Sequence, residues 1–198
     1  MAFITTIGED EATGEAADVL SASRAAAGFV PNYARLFAQR PAVYQAWLEL
    51  RGAVSGSMDE RRYELVSLAA ARRLESSYCA LAHGKVLADR FLDPELVRSM
   101  AIGHRSAGLD PVDEAVMDLA EKVAGDATSV TEDDVDRLRS LGLTDSDIFD
   151  IVAAAAARCF FSKTLEALGV QADAAYAGLE PTLRDALTVG RAIADPSQ

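Results

Sequence analysis

The sequence predicts an all-α protein, and three observations carry that expectation. Half of the residues are apolar, alanine supplies much of that half, and aromatic residues make up only 7%. Alanine is the best helix former and is depleted in strands. No stretch sustains the period-two alternation of a strand, whereas segment after segment opens on a capping residue and closes near a glycine.

Taken in order, a first amphipathic helix is expected from about Glu9 to Ala27, stopping at Gly28. Pro31 suits the first turn of a short helix over Asn32–Gln39. In "RPAVYQAWLELRGAV", Val43, Trp47, Leu50 and Val54 form a single apolar stripe. Asp59 is a candidate N-cap for a helix to about Leu74, with Leu65, Leu68 and Ala69 on its inner face. Ser76 or Ser77 caps the next helix, which carries Cys79, His83, Val86 and Leu87. Asp93-Pro94 opens a helix ended by Gly103, and Asp110-Pro111 opens one through Ala124 with Val112, Ala115, Val116, Leu119 and Val123 inward. Thr131 and Asp134 resemble a capping box before a short helix ending near Gly142. Thr144 caps a long helix through Leu168, with Gly169 as terminator, and "PTLRDALTVGRAI" follows.

An internal repeat is visible as well. "MDERRYELVSLAAARR" (Met58–Arg73) aligns without gaps on "TDSDIFDIVAAAAARC" (Thr144–Cys159), matching Asp59 to Asp145, Val66 to Val152 and Arg72 to Arg158. The expected organisation is one domain over residues 1–198, with a helical extension over about 1–40 and repeated units near 58–90 and 144–170.

Composition excludes several function classes. A formal net charge of −12 argues against nucleic acid and anionic membranes, which need basic patches. The longest apolar run, "IVAAAAA", is far below the roughly 18 residues that span a bilayer. "MAFITTIGEDEATG" lacks the basic start and apolar stretch of a secretory signal, and two cysteines make no disulfide framework, so a cytoplasmic setting is expected.

Chemistry concentrates in "ESSYCALAHGKVL". Cys79 and His83 stand at i and i+4 on one helix face, with Ser76 at i−3 from the cysteine. A cysteine in a first helical turn feels the positive end of the helix, which favours the thiolate, and a histidine one turn on can take its proton. Burial among alanines and leucines works the other way, and a small packed core cysteine is the bland alternative. Two ligands make no zinc site, so no metal is expected. Cys159 reads as a core cysteine and His104 as a solvent-facing loop residue. Tyr78 reads as packing off the Cys79 face, and Phe29, Tyr33, Phe37, Tyr44 and Trp47 as core.

"RRYELVSLAAARRLESSYCALAHGKVL" (Arg61–Leu87) resembles the core motif of the carboxymuconolactone decarboxylase / alkylhydroperoxidase D superfamily. That motif is a Glu, eleven intervening residues, then Cys-x-x-Cys-x-x-x-His. Glu64, Cys79 and His83 stand at the glutamate, second-cysteine and histidine positions. The flanking "VPNYARLFAQRPAVYQAW" and "VTEDDVDRLRSLGLTDSDIFDIVAAAAARCFFSKTLEALGV" look like its longer, peroxidase-related branch. The resemblance implies an alkylhydroperoxidase D-like helical bundle and a homo-oligomer, dimer or hexamer. It also implies a thiol-dependent peroxidase acting on hydroperoxides with an external thiol as reductant and no cofactor. Cys79 would be the redox thiol, His83 its base, and Glu64 the proton relay, holding the imidazole protonated.

One position departs from the motif. Ser76 stands where the first cysteine belongs, and a serine cannot close the internal disulfide. Two alternatives therefore stay open: lactone decarboxylase chemistry, which needs no thiol, and a degenerate member serving as a binding or assembly scaffold.

Overall fold

The protein is described by a computed structural model over residues 2–195. It is all-helical, with no strand among the described residues. The described residues form ten α-helices: α1 (Glu15–Ala27), α2 (Asn32–Phe37), α3 (Pro41–Gly56), α4 (Glu60–Arg73) and α5 (Ser77–Arg90) come first. They are followed by α6 (Pro94–Gly103), α7 (Pro111–Asp126), α8 (Glu132–Ser140), α9 (Asp145–Ala167) and α10 (Pro181–Leu187).

Helix starts follow local side-chain chemistry. Asp59, Asp93 and Asp110 each accept a backbone N–H of the turn they open, all at 2.9 Å. Thr144 and Asp147 bond reciprocally, with Thr144 N donating to Asp147 Oδ2 at 2.9 Å and Asp147 N to Thr144 Oγ1 at 3.2 Å. Gly28 closes α1 in the left-handed conformation at φ +82°, as the terminator role requires.

α4 is the axis of the fold. Leu65, Val66, Leu68 and Ala69 to Ala71 are at most 1% exposed, and the helix packs against α5, α7 and α9. Its alanines let three neighbours approach closely, as close packing of helices demands. A smaller cluster, Leu20, Val30, Ala34 and Ala38, fastens α1 and α2 to this body. No helix among the described residues is long and apolar enough to cross a membrane.

Three expectations are corrected. α1 starts at Glu15 and not at Glu9, because residues 8–12 form a turn and Gly14 sits at φ +55°, outside helical space. Glu9 instead meets Arg24 of α1, whose Nε donates at 2.8 Å. In α3 the apolar stripe is only half buried: Trp47 is inside, yet Val43 and Leu50 are 43% and 49% exposed. The face that packs is Tyr44 and Trp47, because α3 lies at the edge of the bundle and meets it along a narrower arc. His104 is 3% exposed and not solvent-facing; the chain folds back onto α7 in a 3-10 turn, where Nε2 lies 2.9 Å from Asp118 Oδ1.

The two ends of the described chain meet each other, one docked at the end of α9 and the other at the start of α5. Phe3 N donates to the Leu168 carbonyl at 2.7 Å, and Gly190 N donates to Ser77 Oγ at 2.8 Å. A Cβ on Gly190 would lie 2.0 Å from the Glu75 carbonyl oxygen, so only glycine lets the C-terminal segment approach this closely.

Candidate active site

The turn between α4 and α5 builds the site. Glu75 adopts φ +52° and Ser76 N donates to the Ala71 carbonyl at 2.9 Å, which reverses the chain within two residues of α4. Cys79 thereby lies in the first turn of α5, where unpaired amides concentrate positive potential. It is 2% exposed.

Glu64 reaches across from α4. Its Oε2 lies 2.6 Å from His83 Nδ1, and both side chains are largely buried, at 11% and 13% exposure. Burial lowers the His83 pKa, the Arg158 charge lowers it further, and Glu64 opposes both without prevailing. Burial and the Arg158 charge thus favour the neutral ring, against the pull of Glu64 toward the protonated one. A carboxylate accepts, so Nδ1 carries the proton and Nε2 is left as the acceptor.

Sequence reasoning missed Arg158. Its guanidinium is buried at 4% exposure on α9, with one terminal nitrogen 3.9 Å from Cys79 Sγ and the other donating to Tyr63 Oη at 3.1 Å. The Trp47 and Phe161 rings, stacked on one another, lie beside it, each centroid 5.7 Å away. Its Nε is buried without a partner, and no carboxylate pairs with it among the described residues. Its counterpart in the repeat, Arg72, instead donates to the Ala101 and Ile102 carbonyls at 2.6 and 3.0 Å. One signal was present in the sequence: no acidic residue stands three or four places from Arg158 on its helix.

The remaining candidates separate from this group. Ser76 is fully buried at the N-cap of α5, yet its Oγ bonds no amide of that helix. Cys159 follows Arg158 directly but points about 100° round α9, its thiol 4.0 Å from the Ala124 carbonyl of α7. Burial raises its pKa. Tyr78 packs away from Cys79 and donates its hydroxyl to Asp173, which also accepts Asn32 N at 2.8 Å. Phe29 is 38% exposed and not core, because it lines a cleft of about 500 Å³ with Val30, Asn32, Arg35 and Asp173. Neither that cleft nor the groove between α1 and α3 is lined by Cys79, His83 or Glu64.

His104, Asp118 and Glu121 approach one another within 4.8 Å, as a metal site would. Asp118, however, already accepts from Arg105 at 2.7 Å and Arg137 at 2.9 Å. Two guanidinium groups occupy the oxygens that a cation would need, and the cluster is an ion-pair network joining α7 and α8.

No family model and no curated protein sequence matches this chain. Solved structures do. A peroxidase-related protein of Ralstonia eutropha JMP134, described by its alkylhydroperoxidase AhpD core, superposes with a TM-score of 0.79 at 24% identity, covering 88% of this chain and 94% of that one. A second peroxidase-related protein, from Silicibacter sp. TM1040, matches with a TM-score of 0.75 at 21% identity over 89% and 91%. The debrominase Bmp8, solved with 2,3,4-tribromopyrrole, matches with a TM-score of 0.73 at 14% identity over 92% and 96%. At these identities the likeness establishes the fold: the chain has the alkylhydroperoxidase AhpD-like helical architecture that the motif around Glu64, Cys79 and His83 led one to expect.

Proposed function

We propose that this protein is a thiol-dependent peroxidase-like oxidoreductase acting on hydroperoxides, with Cys79 as the redox thiol. The observation that carries the reading is the buried Arg158 guanidinium, 3.9 Å from Sγ and without a carboxylate partner. Burying such a cation is costly unless an anion is formed beside it, and the Cys79 thiolate is that anion. His83 Nε2 takes the thiol proton while Glu64 holds the ring through Nδ1.

The thiolate then attacks the terminal oxygen of the hydroperoxide. An S–O bond forms, the O–O bond breaks, and the alkoxide leaves with the electron pair and takes a proton to become an alcohol. Cys79 is left as sulfenic acid. With serine at position 76, an external thiol condenses with it, releasing water and giving a mixed disulfide that a second thiol reduces. Both cysteines are free, which suits a reducing compartment such as the cytoplasm.

The test is to treat the protein with hydrogen peroxide and trap sulfenic acid for mass spectrometry. Cys79 is expected to trap far more than Cys159, and Glu64→Gln to slow the trapping by about tenfold or more. Equal trapping at the two cysteines sinks the peroxidase reading and leaves the scaffold reading in its place. A second reading is debromination at the same site, raised by the fold shared with the debrominase Bmp8. Lactone decarboxylation is disfavoured, since the one buried cation at the site is engaged by Cys79 and Tyr63.

The same reading includes a homo-oligomer. Phe149, Val152 and Phe160 are 70%, 36% and 43% exposed along one face of α9, beside the exposed Val43 and Leu50 of α3. Large apolar side chains left exposed on two neighbouring helices call for a partner, here a second copy of the chain. A dimer or hexamer is expected at micromolar concentration by light scattering, and Phe149→Asp is expected to lower its mass. A monomeric wild type would overturn this.

A further inference from the structure

The Arg158 guanidinium, which the reading above sets beside the thiolate, is itself met by α4. Tyr63 stands there directly before Glu64 and is 8% exposed. Its hydroxyl oxygen accepts one terminal N–H of Arg158 at 3.1 Å, and the other terminal nitrogen lies 3.9 Å from Cys79 Sγ. The Tyr63 ring also meets the His83 imidazole edge-on, with centroids 6.1 Å apart and planes at 76°. Consecutive residues of α4 thus reach both working groups. Glu64 bonds the base, and Tyr63 touches that base with its ring and the cation with its hydroxyl.

The other contacts of the guanidinium give it a place but no direction. Its Nε is buried without a partner, and Trp47 and Phe161 meet it through ring contacts that single out no N–H. The internal repeat supplies a comparison within the chain. Phe149 and Arg72 stand at the positions matching Tyr63 and Arg158. Phe149 has no hydroxyl and is 70% exposed, and Arg72 turns to the Ala101 and Ile102 carbonyls. The arginine that faces a thiol is the one with a phenol to accept its second nitrogen. A phenol also suits the task because it accepts as a neutral group. A carboxylate in its place would neutralise the cation and remove its need for the thiolate.

We infer that Tyr63 is a positioning residue of the Cys79 site, its hydroxyl oxygen fixing the Arg158 guanidinium so that one N–H edge stays turned toward Sγ. The inference rests on the reading of Cys79 as the redox thiol. The benefit lies in preorganisation: a donor already aimed at the sulfur costs no reorganisation when the thiol proton leaves and charge develops there. Without the phenol oxygen, the long arginine side chain is free to turn its donors away from the thiol, and part of the thiolate's stabilisation is lost.

The experiment replaces Tyr63 by phenylalanine, which keeps the ring beside His83 and removes only the acceptor. Two rates at Cys79 are followed across pH in the full chain: alkylation by iodoacetamide and sulfenic acid formation by hydrogen peroxide. Tyr63→Phe is expected to slow both about tenfold at pH 7, the worth of one hydrogen bond to a charged group. Its alkylation profile should move to higher pH and regain the wild-type rate where the thiol is fully ionised. Of the other titratable groups about the thiol, His83 keeps its Glu64 bond in this variant, and Tyr176, from the turn after α9, is pushed by burial up to about 12. In an Arg158→Met background the same substitution is expected to change either rate by no more than about twofold, because a residue that acts through Arg158 has nothing left to position. Melting curves establish that each variant is folded. Wild-type rates and profile in Tyr63→Phe overturn the role, and so does an equal slowing with and without Arg158, which a merely structural contribution would give. A wild type that forms no sulfenic acid at Cys79 overturns the peroxidase reading itself, a distinct result, since the alkylation rates still report on Tyr63.

Discussion

Replacing Arg158 by methionine is expected to cut sulfenic acid formation at Cys79 by about 100- to 1000-fold, the loss seen when one preorganised charge-stabilising donor is removed from a buried site. The fold is expected to survive the change, and its melting temperature to stay level or rise. The guanidinium is 4% exposed, bonds only Tyr63 among neutral partners, and leaves Nε unsatisfied. Burial of that group costs free energy that a methionine of similar length beside Trp47 and Phe161 would recover. Against this stands the lost Tyr63 bond, about 1 kcal/mol. Arg158→Lys is expected to fall between the two, since an ammonium keeps the charge but not the planar fork that meets Sγ and Oη together. A second readout is independent of rate. The Arg158 charge lowers the His83 pKa, so its removal should move the histidine titration upward, toward the ordinary value. Wild-type reactivity in Arg158→Met would sink the role, whatever its stability.

Arg158 also marks where the sequence stops being legible. Helix starts were readable because a cap acts within three residues, as at Asp59, Asp110 and Thr144. The Glu64–His83 pairing was readable only through the family motif, whose glutamate and histidine fall here on two consecutive helices. Arg158 lies 79 residues from Cys79, and its alignment with Arg72 made it look like a repeat feature and not a site residue. Which side of α9 faces α5 is set by tertiary packing, and no local pattern encodes it. The same cause turned Val43 and Leu50 outward although their spacing with Trp47 is helical. His104 was misread for a related reason: its partner Asp118 belongs to the following helix, where it reads as one of several surface acids.

Ser76→Cys is expected to change the outcome of oxidation and not merely its rate. Position 76 is the N-cap of α5 and Cys79 its third residue, the first-turn placement in which two cysteines separated by two residues close a redox disulfide. In wild type, oxidation should halt at sulfenic acid or at a mixed disulfide with a small thiol, because Cys159 points to α7. In the variant, the introduced thiol is one turn from the sulfenic sulfur. Condensation there releases water and leaves an internal disulfide, read by mass spectrometry as a loss of two hydrogens from the reduced protein. Intramolecular capture outcompetes a dilute external thiol, so turnover with a dithiol reductant should rise by about tenfold or more. A peroxide-treated variant that carries only sulfenic acid or a mixed disulfide at Cys79 would show that the first turn of α5 cannot bring the two sulfurs together, and that Ser76 is not a lost resolving position.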